Sequence, residues 1–446
     1  MRTFIHLPLT IVSGALAVLL TLSSPVLAQD SLHINIYGPG QPKANLYLAP
    51  ASSLGSAAER PDERINEFSK DLKSNLGYLP FIHEVKGADI LGGQTVNGVK
   101  GGDIDFKRFS LSQVDLLITT GWNRNMTGAV QVEVRAFEVF SSSMVVGRGY
   151  VLAKPEQIAK AANRFCADLM EHLTGKSSFF RSRLAFSRKQ QGGKQICVST
   201  PQGHFLEQIT DLDGACMSPA WSFDGKSLVF SFVGQDRHEL MIWDNTTGKL
   251  ESVLLPGNTI ISPTFRADGT LTVSIDPHGN PDIYDLTADN RLGSPLVRHW
   301  GIDISPDFER SGEKMVFVSS RLGNPHIFLL DLTTKKVQRI SYEGTYNTHP
   351  SISPNGRYVA YSRLTDQGHR IIVHDLKDNS EWQVTSGPGN DEDPAWGPDS
   401  YFLAFSSNRS GSYKIYVTTR HGYKPTQIPT GPGDATAPAW NPVVQD

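Results

Sequence analysis

A short motif that begins with proline recurs through the second half of this 446-residue chain. Its first five copies place a turn pair, such as Asp224-Gly225, five residues after the proline. The six copies begin at Pro219, Pro263, Pro306, Pro350, Pro394 and Pro438. Successive prolines are 44, 43, 44, 44 and 44 residues apart. A period of about 40–50 residues is typical of propeller blades, each of which contains four strands.

Each repeat also carries the pattern of four short strands. Turn pairs such as Asp224-Gly225 and Asn355-Gly356 suit the positive φ angles of a two-residue hairpin. Apolar segments such as SLVFSF (227–232) and ELMIWD (239–244) follow the turn, and a polar turn then leads to a fourth strand. We therefore predict that residues 177–446 form an all-β propeller.

The ends of this region predict the number of blades. RLAFSR (183–188) and QICVST (195–200) match the second and third strands of a blade that lacks its first strand. The segment PAWNP (438–442) supplies that strand from the end of the chain. Five whole blades and one shared blade predict a six-bladed ring, closed by its C-terminal strand so that no ring edge stays open.

Residues 29–176 are predicted to form a separate α/β domain. Ile65, Phe68, Leu72 and Leu76 lie at helical spacings and give one apolar face. Strand patterns follow, for example at VDLLITTGW (114–122). A last helix is predicted to begin at Pro155 and to end at Gly175.

Residues 1–28 have the features of a secretory signal. Arg2 precedes an apolar run from residue 11 to residue 22, which is shorter than the roughly 20 residues of a membrane helix. Small residues precede the predicted cleavage between Ala28 and Gln29. A buried N-terminal helix or an uncleaved anchor is the alternative.

Charge and motifs exclude several classes of protein. Removal of Arg2 changes the net charge from −3 to −4, which argues against a nucleic-acid-binding surface. No further segment is apolar enough to cross a membrane, so the mature protein is not expected to span one. Residues 93–100 lack the end of a phosphate loop, and no GxSxG is present. We therefore expect no enzyme activity and no cofactor.

No metal site is expected either. Cys166, Cys197 and Cys216 lack the spacing of metal ligands and are interpreted as buried apolar side chains. A disulfide between Cys197 and Cys216 is the alternative. Four aspartates recur at the ends of third strands and are interpreted as turn caps: Asp244, Asp285, Asp331 and Asp375.

The loops that enter the six proline-led strands differ from repeat to repeat, and in a propeller they surround one mouth of the channel. These loops contain aromatic residues beside acids, a combination suited to binding a protein or attracting a cation. The candidate residues are His299, Trp300, Asp303, Tyr346, His349, Asp391, Glu392, Asp393 and Asp434. The alternative is a ring of ordinary solvated loops.

Two segments resemble one known family. The junction LTGKSSFFRSRLAFS (173–187) and the repeat PAWSFDGKSLVFS (219–231), of the PAWS type, are similar to segments of the TolB family of the Tol-Pal envelope system. The order of signal, α/β domain and propeller also resembles that family, over essentially the whole mature chain. The α/β domain and the junction make the resemblance more specific than the repeat alone.

The resemblance implies a periplasmic binding protein, peripheral to the outer membrane, that acts in outer-membrane integrity and invagination during cell division. It implies that the lipoprotein Pal binds at the channel mouth, and it leaves room for other outer-membrane proteins as partners. It also implies that the C-terminal domain of TolA binds the mature N-terminal segment, residues 29–37. The residues of that contact would be Leu32, His33, Ile34, Asn35 and Ile36.

The N-terminal segment and the function each have an alternative. The alternation of Leu32, Ile34 and Ile36 suits addition of a strand to a partner sheet, but the segment could equally be a strand of its own domain. It lacks the Glu-Val-Arg start of some relatives. The alternative function is a periplasmic propeller hydrolase, or a protein that binds a small ligand at the acidic mouth.

Overall fold

The computed structural model describes residues 32, 43–55, 62–96, 98–126 and 128–443. The predicted signal segment with its cleavage site, and His33 to Ile36 of the N-terminal segment, lie outside these residues. These residues form one compact unit. In the described residues no helix is long and apolar enough to cross a membrane.

The N-terminal region is α/β, as predicted. Its six strands are β1 (Ala44–Leu48), β2 (Ser52–Ser53), β3 (Ile82–Glu84), β4 (Leu116–Arg124), β5 (Val130–Glu138) and β6 (Ser143–Leu152). Its helices are α1 (Glu63–Leu76), α2 (Phe106–Leu111) and α3 (Pro155–Thr174), with short 3-10 turns at Gly87–Asp89 and Gly101–Asp103. The sheet has the order β3-β1-β4-β5-β6, with β2 beside β4. Strand β1 runs parallel to both neighbours, and β4, β5 and β6 are antiparallel.

Local sequence explains the two long helices. Helix α1 follows Asp62, whose carboxylate accepts the backbone N–H of Arg64 at 3.0 Å. It buries the four apolar residues of the predicted face. Helix α3 begins at Pro155 and ends before Gly175, whose φ of 70° lies in the left-handed region that favours glycine. Both predicted ends of α3 are therefore confirmed.

The second region consists almost entirely of strands. A short helix, α4 (Ser178–Arg181), leads into it. The first seven strands are β7 (Leu184–Gln190), β8 (Gly193–Ser199), β9 (Glu207–Gln208), β10 (Gly214–Trp221), β11 (Ser227–Val233), β12 (His238–Asp244) and β13 (Leu250–Val253).

The next sixteen strands form four groups of four. The first two groups are β14 (Ile260–Phe265), β15 (Leu271–Ile275), β16 (Asp282–Leu286), β17 (Leu292–Val297), β18 (Asp303–Phe308), β19 (Lys314–Ser319), β20 (His326–Asp331) and β21 (Val337–Arg339). The other two are β22 (Asn347–Ile352), β23 (Tyr358–Thr365), β24 (Gly368–Asp375), β25 (Ser380–Gln383), β26 (Asp391–Trp396), β27 (Phe402–Ser407), β28 (Lys414–Thr419) and β29 (Thr426–Gln427). The last strand is β30 (Ala435–Trp440).

These strands form a propeller, with four separate four-stranded sheets rather than six. The other eight strands share one sheet in the order β13-β12-β11-β10-β8-β7-β30, with β9 beside β8. Strands β8 and β10 join because they pair in parallel at two positions, where Gly193 faces Gly214. A Cβ at Gly193 would lie 1.8 Å from the carbonyl oxygen of Gly214. The two backbones approach this closely because glycine has no side chain.

The C-terminal strand supplies the neighbour of β7, as predicted. Strand β30 is antiparallel to β7, with Ala435 opposite Arg188 and Trp440 opposite Leu184. The indole N–H of Trp440 donates to the carbonyl oxygen of Ala395 at 3.1 Å. The end of the chain is therefore part of the propeller framework.

One hydrophobic core extends from the α/β region into the propeller. Phe179 in α4 lies at its centre, with its ring centroid 4.2 Å from that of Phe402 and 6.0 Å from that of Trp440. The predicted domain boundary near residue 176 falls between α3 and α4 and stays a prediction. Cys166, Cys197 and Cys216 are buried and unpaired, so the Cys197–Cys216 disulfide is absent.

Candidate functional site

Each of the six proline-led strands contains a β-bulge. In β10, β14, β18, β22 and β26 the pairing with the next strand in sequence shifts register at the proline. In β30 the same shift occurs in the pairing with β7. The residue before each proline has a left-handed backbone, with φ between 44° and 56°. These residues are Ser218, Ser262, Ser305, His349, Asp393 and Ala437. Such φ values are uncommon outside glycine, and a bulge changes the direction of a side chain.

The six bulges surround a central channel with a volume of about 240 Å³. Its wall consists of the bulge residues, their prolines and the residues that follow. We call the end at which the six strands begin the mouth. Phe179, in α4, contacts Trp440 and Phe402. Trp440 is the last residue of β30, and Phe402 begins β27, which runs antiparallel to β26, so both lie at the end of the propeller opposite the mouth. The mouth therefore faces away from this contact.

Polar groups are distributed unevenly around the channel. His349 Nε2 lies 3.5 Å from Asp393 Oδ1. The other carboxylate oxygen of Asp393 accepts the hydroxyl of Ser406 at 2.9 Å and the backbone N–H of Ala437 at 3.3 Å. Elsewhere in the wall, the hydroxyls of Ser262 and Ser305 lie 3.3 Å apart. The bulge residues of β22 and β26 therefore bring an imidazole beside a carboxylate, whereas those of β14 and β18 bring two hydroxyls together.

Asp307 adds a second carboxyl group to the channel wall. Its Oδ2 accepts the backbone N–H of Ile352 at 2.8 Å, and its Oδ1 accepts that of Phe308 at 3.1 Å. Across the described ranges, Asp307 forms no ion pair with a lysine, arginine or histidine. Partial burial raises the pKa of Asp307 to about 6, and the hydrogen bonds from Ile352, Ser351 and Phe308 offset only part of this effect.

Several candidate residues lie at the mouth as predicted. Trp300 is 72% exposed and Tyr346 is 42% exposed. The ring of His299 lies against Trp300, with centroids 5.3 Å apart. Glu392 accepts the Tyr413 hydroxyl at 2.6 Å, and Asp434 accepts the Tyr413 backbone N–H at 3.1 Å.

Asp303 and Asp391 were predicted to face a partner at the mouth, but their side chains are fully buried. Asp303 accepts two hydrogen bonds from Arg321 Nη2, at 3.1 and 3.2 Å. Asp391 accepts one from Arg409 Nη2 at 2.7 Å. Each carboxylate is drawn inward by an arginine that follows the next strand of its own sheet. These two residues support the mouth and present no surface to a partner.

The structure adds apolar residues that the sequence interpretation missed. Ile302, Leu322 and Leu364 are exposed beside the mouth. The Ser320 N–H donates to Ile302 O at 2.9 Å, the Leu364 N–H donates to Tyr346 O at 2.9 Å, and the Asn347 N–H donates to Pro325 O at 3.0 Å. These bonds bring the loops before β18 and β22 beside the turn that follows β19 and the end of β23. We call the resulting set the rim patch: Trp300, Ile302, Leu322, Tyr346 and Leu364.

The mouth loops are held by side chains at one repeated position, the start of the third strand. Asp282, Arg370 and Lys414 occupy this position in three sheets. Asp282 accepts the backbone N–H of His299 at 3.2 Å. Arg370 donates to Gly387 O and Gly389 O at 2.6 and 2.7 Å, and Lys414 donates to Gly431 O and Gly433 O at 2.8 and 2.6 Å. Each loop is therefore fixed by a neighbouring strand rather than by its own sequence.

The four repeated aspartates at the ends of third strands all form hydrogen bonds within the protein, and three of them cap the turn that follows, as predicted. The Asp244 carboxylate accepts the N–H groups of Thr246 and Thr247, and Asp331 accepts those of Thr333 and Thr334. Asp375 likewise accepts the N–H of Lys377. Asp285 instead binds side chains, those of Arg266 and Thr272, both at 2.7 Å. The turn-cap interpretation is thus wrong for Asp285.

The fold and the channel define a β-propeller protein with an N-terminal α/β region. Residues 170–444 match the family described as the TolB beta propeller domain. The chain belongs to this TolB family.

Relatives support the assignment over most of the chain. The "Tol-Pal system protein TolB" of Nitratidesulfovibrio vulgaris is 42% identical over 315 residues, which is 70% of each chain. The protein of the same name from Desulfosudis oleivorans is 32% identical over 287 residues, 64% of each chain. The crystal structure of TolB from Acinetobacter baumannii matches with a TM-score of 0.76, covering 90% of this chain and 97% of that one. At 16% identity, this last likeness shows the fold alone.

Proposed function

We propose that this chain is a non-enzymatic binding protein of the Tol-Pal system, and that its channel mouth binds the lipoprotein Pal. The rim patch is the single observation that carries the proposal. Its five large apolar side chains are exposed beside acidic residues, and exposed apolar patches with polar borders mark protein-binding surfaces. Aromatic anchors such as Trp300 dominate the energy of many interfaces. Membership of the TolB family supports the same function.

The proposal includes a six-bladed ring. The eight-stranded sheet divides at the short β8–β10 pairing into two sets of four strands: β30, β7, β8 and β9, and β10 to β13. Together with the four separate sheets they give six blades. The six equivalent bulges support this count, since each proposed blade contributes one of them to the channel.

The proposal also includes the N-terminal segment as the site for the C-terminal domain of TolA. The Leu32 N–H donates to Glu138 Oε1 at 2.6 Å, and its half-buried side chain packs against the core. This contact supports a docked state of the segment. Binding of Pal at the mouth would shift the segment between docked and free states, and the free state would recruit TolA, provided each partner binds the two states unequally.

The cellular role follows from the two partners. A protein that links an outer-membrane lipoprotein with TolA would act in the periplasm, at the inner face of the outer membrane. Its function there would be outer-membrane integrity and invagination during cell division. The predicted signal at residues 1–28 supports this location.

Calorimetry tests Pal binding directly. The mature chain is titrated with the soluble domain of Pal from the same organism, and Trp300→Ala is expected to weaken binding by about 30-fold or more, as for an interface hot spot. Leu254→Ala is the matched control, because Leu254 is 72% exposed outside the rim patch. Equal losses in both variants, or no binding of the unchanged chain, would refute the proposal.

The coupling to TolA is tested by deleting residues 29–37. We expect the deletion to change Pal affinity, because it removes the docked state. An unchanged Pal affinity would show that the two sites are independent. Turnover of a substrate, or tight binding of a small ligand at the mouth, would favour the alternative function.

A further inference from the structure

Cationic and anionic side chains near the mouth differ in exposure. The side chains of Arg321, Arg363, Arg370 and Arg409 are 1–16% exposed, and they bind carboxylates or backbone carbonyls inside the protein. Glu343, beside the rim patch, is 76% exposed. A partner that approaches the mouth therefore meets the exposed acid Glu343, while these four arginines are already bound within the propeller; Arg298, beside His299, is 59% exposed.

The channel interior repeats this imbalance. Asp307 and Asp393 line its wall, and His349, which lies 3.5 Å from Asp393, is the one basic side chain among the described lining residues. His349 is paired with Asp393, whereas Asp307 accepts hydrogen bonds from the Phe308 and Ile352 N–H groups and from the Ser351 side chain and has no basic side chain as a partner among the described residues. An ionised carboxyl in this position destabilises the fold, since burial disfavours its charge. A charge that is unfavourable for folding indicates a role in binding.

The size of the channel limits what can enter it. A volume of about 240 Å³ is below the range of roughly 300–1,000 Å³ that is usual for sites of drug-sized ligands. It suits a single long side chain. The six prolines provide an apolar wall for a hydrocarbon stem, and the carboxylates provide acceptors for a charged end.

We propose that the channel receives the ammonium or guanidinium group of a lysine or arginine from the protein bound at the mouth. Its hydrocarbon stem would pass the prolines, and its charge would lie between Asp307 and Asp393. Apolar neighbours of this residue in the partner would cover the rim patch. This inference rests on the proposed binding of a protein at the mouth and specifies the chemistry of that contact.

The test compares isosteric variants of the mature chain in calorimetric titrations with the soluble Pal domain. Asp307→Asn and Asp393→Asn are each expected to weaken binding by about 30-fold or more, as when one member of a buried charge pair is neutralised. The matched control is Asp289→Asn, an exposed carboxyl in the turn between β16 and β17, outside the channel. Its affinity should equal that of the unchanged chain. Thermal unfolding of each variant checks that the fold is intact.

Each other outcome identifies what has failed. If the unchanged chain does not bind Pal, the proposed function fails. If it binds, and Trp300→Ala weakens binding while both channel variants do not, the side-chain insertion is refuted and the proposed function stands. A third outcome would indicate a metal site. If Ca²⁺ raises the melting temperature of the unchanged chain but not of Asp307→Asn, and if the two proteins bind Pal equally well in EDTA, the carboxylates bind a metal ion. The proposed insertion of a partner side chain is then refuted as well.

Discussion

Asp307 and Asp393 show how single residues define the channel. Both follow from the proline-led strand pattern, yet only Asp393 was a candidate from the sequence. Asp303, Asp391 and Asp393 all lie in mouth loops rich in acids, and the sequence cannot separate them. Which of these acids faces the channel depends on the direction of its side chain. Asp393 precedes a proline and has a left-handed φ of 51°. Asp303 and Asp391 are instead bound by arginines that follow the next strand of their sheets.

A first prediction concerns Asp307 and pH. Its folded pKa of about 6 lies above the value of about 3.9 expected in the unfolded chain, so the native state binds the proton more tightly. The ionised carboxyl therefore destabilises the fold above pH 6, and this effect disappears as the pH falls below about 4, where both states are protonated. Asp307→Asn should raise the free energy of unfolding by about 1–3 kcal/mol at pH 7.5.

Urea unfolding at pH 7.5 and pH 3.5 measures this difference. At the lower pH, Asp307→Asn and the unchanged chain should have the same stability. Asp289→Asn is the control, because it removes a surface ion pair worth about 0–1 kcal/mol and keeps an amide oxygen that can accept the Thr287 hydroxyl. A loss of stability in Asp307→Asn at pH 7.5 would show that the hydrogen bonds to Ile352 and Phe308 outweigh the burial of charge.

At the scale of structural elements, the repeat predicted strands and turns well. The helical face of α1 and both ends of α3 were also predictable, since periodicity and capping residues act locally. The joining of β8 to β10 was not, because it depends on Gly193 meeting Gly214 across a distance in the chain. The bulges were also missed. A proline in a strand permits a bulge, but the left-handed residue before it is set by pairing.

The bulges yield a second prediction. Ala437 adopts a φ of 53°, where a residue with a Cβ is strained by about 1–2 kcal/mol. Ala437→Gly should therefore leave stability unchanged or raise it by up to about 1 kcal/mol, despite the entropy that glycine loses on folding. Ala439→Gly, in the same strand without a left-handed φ, should lower it by about 1 kcal/mol. Chemical denaturation of both variants provides the measurement, and equal losses would contradict the strain argument.

At the scale of the whole molecule, period and composition predicted the order of an α/β region and a propeller. The core shared by the two regions could not be predicted. Phe179, Phe402 and Trp440 come from three distant parts of the chain, and no local pattern relates them. The mouth was also predicted only in part, because Leu322 follows β19 and Leu364 lies at the end of β23, and both reach the rim through hydrogen bonds between these segments and the mouth loops.

A third prediction concerns closure by the C-terminal strand. Ending the chain at Gly433 removes β30, with about four hydrogen bonds worth about 1 kcal/mol each and burial of Trp440 worth about 2–3 kcal/mol. This sum is a large share of the 5–15 kcal/mol typical of a domain, so the melting temperature should fall by about 10 °C or more. A chain that ends at Val443 keeps β30 and should melt like the full chain. Calorimetry of the two truncations decides the matter, and equal melting curves would refute closure by β30.

The pairing of β30, the last strand, with β7, the first strand of the propeller, also constrains the order in which the protein can fold. Residues of the α/β region are synthesised first, but Phe179 completes its packing only when Trp440 arrives. The contact of Trp440 with Leu184 spans most of the chain, and contacts of such long sequence separation form slowly. The emerging chain must therefore keep apolar surface uncovered until its final residues are available. Throughout that interval it depends on protection from aggregation more than a protein whose domains fold one after another.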